Sequence, residues 1–172
     1  MPRMDSERWR KATRLRGYDY RTPALYHVVT TTQGGVCRFG EVRNGVMDRN
    51  VAGEMVAEIW NAIPETFPSV SLDAFVVMPN HVHGIVFLEP HSNGDTLEVS
   101  LGDVMKWFKA VTTTRYSRGV HDLSWPPYDR RLWHRNYYDH IVRDDGDLDR
   151  IRAYIEANPA NWNTDRFRPI AE

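Results

Sequence analysis

Asp73-Ala74-Phe75-Val76-Val77-Met78-Pro79-Asn80-His81-Val82-His83-Gly84-Ile85-Val86-Phe87 reads as two apolar strands joined at a tight Met-Pro-Asn corner. Both runs are rich in the β-branched and aromatic residues that suit a pleated, half-buried surface. Side chains on a strand alternate faces, so His81 and His83 point the same way, roughly 6–7 Å apart along the strand, and Val82 turns to the apolar side. A His-apolar-His triplet can therefore present two imidazoles to one divalent metal while its middle residue anchors the strand. The same spacing also occurs on ordinary solvated sheet faces, so the rest of the chain must choose between the two. Gly84 follows, and a strand glycine often lets another group approach the backbone closely.

Working outward, residues 24–32 form a further strand pattern, ended by Gly34-Gly35. Residues 36–46 suit a small hairpin around Asn44-Gly45, a strong type I′ turn pair. From residue 50 to 63 the period becomes helical, with Val51, Met55, Val56, Ile59, Trp60 and Ile63 on one face and Pro64 and Pro68 as the stop. Ser100-Leu101-Gly102-Asp103 resembles a capping box, with Asp in place of Glu or Gln. The helix it opens carries an apolar stripe of Leu101, Val104, Met105, Phe108 and Val111. Residues 119–130 read as a loop and 131–137 as a short strand. Asp144-Asp145-Gly146-Asp147 opens a last helix, with acids at its positive end, and Pro159 breaks it after Asn158. Residues 1–16 are a basic arm or helix, and 161–172 a polar, irregular tail. The order strand, helix, strand, strand, helix, strand predicts one α+β domain over 1–172. Its fold class is ferredoxin-like (RRM-like) βαββαβ, an antiparallel sheet with helices on one face and an extra C-terminal helix.

Composition narrows the function classes. The chain has 172 residues and a formal net charge of −1, so any nucleic-acid binding must use local patches rather than a global cationic field. Its one cysteine, Cys37, excludes an internal disulfide framework and fits a reducing compartment. No apolar run approaches the ~20 residues of a membrane span, and the N-terminal residues lack a signal-peptide core. The expected location is the cytoplasm.

The last helix supplies a second group. Tyr154 and Asn158 are four residues apart, so they share a helix face and deliver a tyrosine oxygen and a carboxamide oxygen to one place. Leu148, Ile151 and Ile155 give an adjacent apolar face to hold that helix on the sheet. Carboxamide oxygen suits a hard cation such as Mg²⁺ or Mn²⁺. Taken singly, Tyr154 also reads as a packed aromatic with a satisfied hydroxyl, and Asn158 as a helix end before proline.

Met78-Pro79-Asn80-His81-Val82-His83-Gly84-Ile85, together with Trp133-His134-Arg135-Asn136-Tyr137-Tyr138-Asp139-His140-Ile141-Val142-Arg143 and Tyr154-Ile155-Glu156-Ala157-Asn158-Pro159, resembles the REP-associated tyrosine transposases. These belong to the HUH single-tyrosine transposases of bacterial insertion sequences. The resemblance runs from about Gly17 to Trp162. It implies that His81 and His83 hold a divalent metal, Mg²⁺ or Mn²⁺, with Asn158 as third protein ligand. It also implies that Tyr154 attacks phosphorus in line, releases a 3′-hydroxyl and keeps a covalent 5′-phosphotyrosine. A tyrosine hydroxyl ordinarily titrates near pH 10, so it needs activation. Tyr137 and Tyr138 are rival nucleophiles without a helical i+4 carboxamide. The implied partner is single-stranded DNA with a short imperfect, REP-like hairpin, and relatives act as monomers or homodimers. A basic groove with stacking aromatics would grip it. Candidates are Lys106, Lys109, Arg115, Arg118, Arg130, Arg131 and Arg135, with Trp107 and, in the basic arm, Arg14. His134 and His140 read as structural or DNA-contacting. Two readings compete: a metal-dependent nuclease without a covalent step, and a non-catalytic RRM-like binder, which would need aromatics where the central strand carries His81 and His83.

Overall fold

Strand alternation at the histidine triplet governs how the layers assemble. A computed structural model describes residues 18–89 and 99–169; the basic arm with Arg14 lies outside the described residues. The strands are β1 (Ala24–Thr31), β2 (Gly40–Arg43), β3 (Val46–Arg49), β4 (Val70–Val77), β5 (His81–Leu88) and β6 (Tyr138–Ile141). The helices are α1 (Val51–Asn61), α2 (Ile63–Thr66), α3 (Leu101–Leu123) and α4 (Asp145–Ala157). Four strands form one antiparallel sheet in the order β4-β5-β1-β6, the ferredoxin-like arrangement the element order predicts. β2 and β3 pair as a separate hairpin, and Asn44 and Gly45 supply the positive φ values, 51° and 74°, that a type I′ turn requires.

The two faces of β5 meet different helices. Val82, Val86 and Leu88 join Trp60, Phe108 and Tyr26 in the main core, under α1 and α3. Ile85 turns the other way, into a smaller cluster with Ile151 and Ile155 of α4. His81 and His83 share the Ile85 side by the same period of two. Thus α1 and α3 cover one face, as expected, and the extra helix covers the other. A bidentate ion pair from Arg152 to Asp73, at 2.8 and 2.6 Å, ties α4 to β4. At the start of α4, the buried Asp147 carboxylate binds His140 Nε2 at 2.9 Å and accepts from the Arg143 backbone N–H at 3.1 Å. These contacts tie α4 to β6 as well.

Gly84 is a point of close approach between the sheet and α1. A Cβ built there would lie 2.1 Å from the Trp60 indole. Trp60 is fully buried, stacked 6.1 Å from Phe75 and edge-on to Phe108 at 5.3 Å, so it has nowhere to withdraw. Gly84→Ala is therefore expected to destabilise the fold by about 1–3 kcal/mol or more through overpacking. Urea unfolding measures this directly, and an unchanged midpoint would contradict the packing described.

Three segments depart from the expectations. Residues 131–137 are not a strand: they are irregular, their one backbone bridge runs from Trp133 to Thr32, and the edge strand begins at Tyr138. Buried Leu132 and Trp133 account for the apolar pattern, since they plug the core from a loop. α3 continues past Gly119 to Leu123. The glycine is not a stop there; the Trp125 ring packs so close that a Cβ would lie 2.2 Å from it. The tail carries one short regular element, a 3₁₀ turn at Trp162–Thr164, and is irregular from there to residue 169. Its partner is the histidine face.

Candidate metal and nucleophile site

Five side chains from three parts of the chain converge on the α4 face of the sheet. β5 contributes His81 and His83, both fully buried. α4 contributes Tyr154 and, at its C-terminal cap, Asn158. The tail contributes Asp165, whose carboxylate oxygen lies 3.7 Å from His81 Nε2. Ligand atoms of His81, His83 and Asp165 all fall within 4.8 Å of one another.

The hydrogen bonds around this cluster leave three atoms conspicuously bare. His81 Nδ1 faces the Asn80 carboxamide oxygen at 2.8 Å, and His83 Nδ1 faces His27 Nε2 at 3.2 Å. The opposite nitrogens, His81 Nε2 and His83 Nε2, are buried without a hydrogen-bond partner, as is Asn158 Oδ1. The Asn158 carboxamide sits beside His81 and raises its basicity slightly, yet its oxygen receives no properly directed donor. An orphaned buried acceptor costs about 1–3 kcal/mol, so three together need a reason. Two imidazole nitrogens, a carboxamide oxygen and a carboxylate suit a divalent cation. The donor set fits the metal the sequence suggests.

Electrostatics keep the imidazoles ready. Burial pushes His81 down to about 3, despite the Asn158 contact. Burial, then repulsion from His81 and His27, holds His83 well below its usual value. His27 is pushed down to about 4 by burial and by His140. All three are neutral at pH 7, so no proton competes with a metal. Asp165 moves the other way, raised by burial.

These shifts make acid sensitivity an expected property. A histidine whose folded pKa lies below its unfolded 6.5 contributes full stability above pH 6.5 and loses it as pH falls toward the folded value. Each of the three should therefore withdraw stability as pH falls through that window. Asp165 opposes the trend, but one carboxyl acts against three imidazoles. Without metal, the urea midpoint should fall steeply from pH 7 to pH 5; equal midpoints would contradict the burial of neutral histidines.

Tyr154 forms the open rim, 45 % exposed, with its ring 5.4 Å from His83 and 6.3 Å from His27. Phe167 and Trp162 cover the other side, 4.8 and 6.0 Å from the His81 ring. The exposed Arg166 guanidinium lies over Phe167 at 4.6 Å and over Tyr138 at 5.5 Å. The Tyr138 ring is 6.4 Å from His27, so of the two rival tyrosines it lies nearer this face. The Tyr137 ring sits under Lys109 instead.

The expected basic cluster is not gathered at this site. Lys106, Lys109, Arg115 and Arg118 ride on α3, across the sheet from the histidines. Lys109 donates to the carbonyls of His134, Arg135 and Asn136 and so braces the loop before β6. Arg115 pairs with Glu58 of α1. Arg130, Arg131 and Arg135 are exposed on the 124–137 connection. The residue reasoning missed was Asp165, together with Arg166. The available signal was the pair of large aromatics, Trp162 and Phe167, in an otherwise polar tail.

A ferredoxin-like sheet with paired histidines on its central strand, faced by a tyrosine helix on the side opposite its main core, defines the single-tyrosine transposase class. The chain belongs to the IS200-like transposase family, whose model matches residues 24–158. It is 34 % identical over 168 residues to an uncharacterized protein of Haemophilus influenzae, spanning 92 % of each chain. It also resembles the structure of a REP-associated tyrosine transposase bound to a REP hairpin, with a TM-score of 0.57 and 17 % identity. That likeness covers 87 % of this chain and 73 % of the other. Among the described residues, no helix is long and apolar enough to cross a membrane.

Proposed function

We propose that this transposase cleaves and rejoins single-stranded DNA beside a short imperfect hairpin, through a covalent 5′-phosphotyrosine on Tyr154. One observation carries the reading: His81 Nε2, His83 Nε2 and Asn158 Oδ1 are buried and unpartnered together, next to the Asp165 carboxylate and an exposed tyrosine. His81, His83, Asp165 and Asn158 would hold a divalent metal. Bound there, it supplies Lewis-acid stabilisation of charge on the scissile phosphate.

The chain's own residues do the rest. Tyr154 Oη gives up its proton and attacks phosphorus, the bond from phosphorus to the 3′ oxygen breaks, and one proton is returned to the 3′ oxygen, which leaves as a hydroxyl. The phosphodiester is replaced by a phosphotyrosine ester, so a later attack by a 3′-hydroxyl reseals DNA without ATP. Ion pairing of α4 to β4 and the apolar contacts of Ile151 and Ile155 hold the tyrosine in place, and such positioning can lower the barrier by several kcal/mol. Arg166, on the same rim, is placed to take a DNA phosphate. Membership of the family, and the REP hairpin bound by the similar transposase, support a hairpin partner for this chain.

The test is a denaturing gel of full-length protein incubated with labelled single-stranded hairpin DNA and Mn²⁺. A protein-linked species carrying the fragment downstream of the cut is expected. Cleavage without any linked species would replace this reading with a hydrolytic nuclease.

A further inference from the structure

The geometry points to Asn80 as a positioning residue that dictates which nitrogen of His81 is bare and, with the other end of its amide, fastens the tail that brings Asp165 to the site. Its functional meaning rests on the proposed metal role of His81; the tautomer assignment does not.

Asn80 is fully buried at the corner between β4 and β5. Its Nδ2 donates to the Gly35 carbonyl at 2.8 Å and to the Phe167 carbonyl at 2.7 Å. Both partners are carbonyl oxygens, which only accept. A flipped amide would set its own oxygen against two others, so the orientation is dictated rather than chosen. With both amide hydrogens used, Oδ1 faces His81 Nδ1 at 2.8 Å. An amide oxygen cannot donate, so the hydrogen of that bond belongs to His81 Nδ1. A neutral imidazole has one ring hydrogen, and Nε2 is left with a free lone pair. That atom is the one facing Asp165, and the one without a partner.

The two acceptors are themselves fixed. Gly35 lies in a turn where Gly34 and Gly35 both have positive φ, and its N–H donates to Thr32. The Phe167 carbonyl belongs to the turn in which the Phe167 N–H donates to Asp165 Oδ1 at 2.7 Å. One buried carboxamide thus joins the loop after β1, the His81 ring and the tail. Histidine ligands to metals usually give their second nitrogen's hydrogen to a fixed acceptor, and losing such an acceptor typically weakens metal binding by about 10–100-fold.

The test uses full-length protein with ¹⁵N-labelled histidine, kept metal-free by a chelator. Long-range ¹H–¹⁵N spectra read directly which ring nitrogen carries hydrogen. Wild-type His81 should be the Nδ1–H tautomer. In Asn80→Ala, His81 should move to Nε2–H or to a mixture, and Mn²⁺ affinity measured by electron paramagnetic resonance should fall on the order of tenfold or more. Pure Nδ1–H at His81 in that variant would overturn the assignment. If Asn80→Ala does not fold, Asn80→Asp keeps an acceptor for His81 and loses the donors. It should retain the Nδ1–H tautomer while the Phe167 amide resonance, read in uniformly ¹⁵N-labelled protein, shifts. An unmoved Phe167 resonance, or a switched tautomer, would overturn the proposal. Wild-type protein with Nδ1–H at His81 but no Mn²⁺ binding would uphold the Asn80 assignment and sink the metal reading instead.

Discussion

Tyr154→Phe is expected to bind hairpin DNA and form no protein–DNA adduct. The ring of Tyr154 lies edge-on to His83 and near His27, and phenylalanine keeps both contacts. Only the oxygen goes. The side chain is 45 % exposed, so its hydroxyl supports little of the fold, and stability should stay within about 0.5 kcal/mol. Loss of the nucleophile, by contrast, removes the covalent step entirely. The variant therefore separates chemistry from folding and from recognition. Mass spectrometry of the wild-type adduct should place the nucleotide on Tyr154. Tyr138 is the nearest rival, on the edge strand beside His27 and beneath Arg166. An adduct on Tyr138 would keep the mechanism and move the nucleophile; an adduct surviving in Tyr154→Phe would point the same way.

The sequence made the histidine strand legible because a strand's period of two is local: Val82 and Val86 could only face a core, which put His81 and His83 opposite. Tyr154 and Asn158 were legible for the same reason at helical period. Contacts made across the chain were not. Asp165 reaches the site because Trp162 and Phe167 pack on His81 and Asn80 holds the Phe167 carbonyl, and no short-range pattern encodes that. Lys109 has a structural role that no local pattern shows: its ammonium binds three successive carbonyls of a loop that folds over it from 25 residues away. Gly119 looked like a helix stop, but its lack of a side chain serves the Trp125 ring. In each case an elementary signal was present and its tertiary partner was not.

His81→Ala and His83→Ala are expected to lose metal binding and cleavage while remaining folded, and the energetics say why the fold survives. Truncating a buried side chain normally leaves a costly cavity. Here the truncation also removes a buried nitrogen that has no hydrogen-bond partner, which offsets part of that cost and of the pairing lost at Asn80 Oδ1 (for His81) or His27 Nε2 (for His83). It further removes one of the three imidazoles that acid must protonate, so the metal-free variants should lose less stability than wild type between pH 7 and pH 5. Metal reverses the comparison. A cation that binds the folded state alone raises Tm with concentration, so Mn²⁺ should stabilise wild type and leave both variants unmoved. Asp165→Asn should weaken this Mn²⁺ shift more than Asn158→Ala does, because it replaces a charged oxygen ligand by a neutral one, whereas water can replace a lost carboxamide. Thermal melts across a Mn²⁺ titration, read beside the gel assay, test both statements. A Mn²⁺-dependent rise in Tm of wild-type size in His83→Ala would remove His83 from the site, and cleavage at the wild-type rate in either histidine variant would end the case for a metal on this strand.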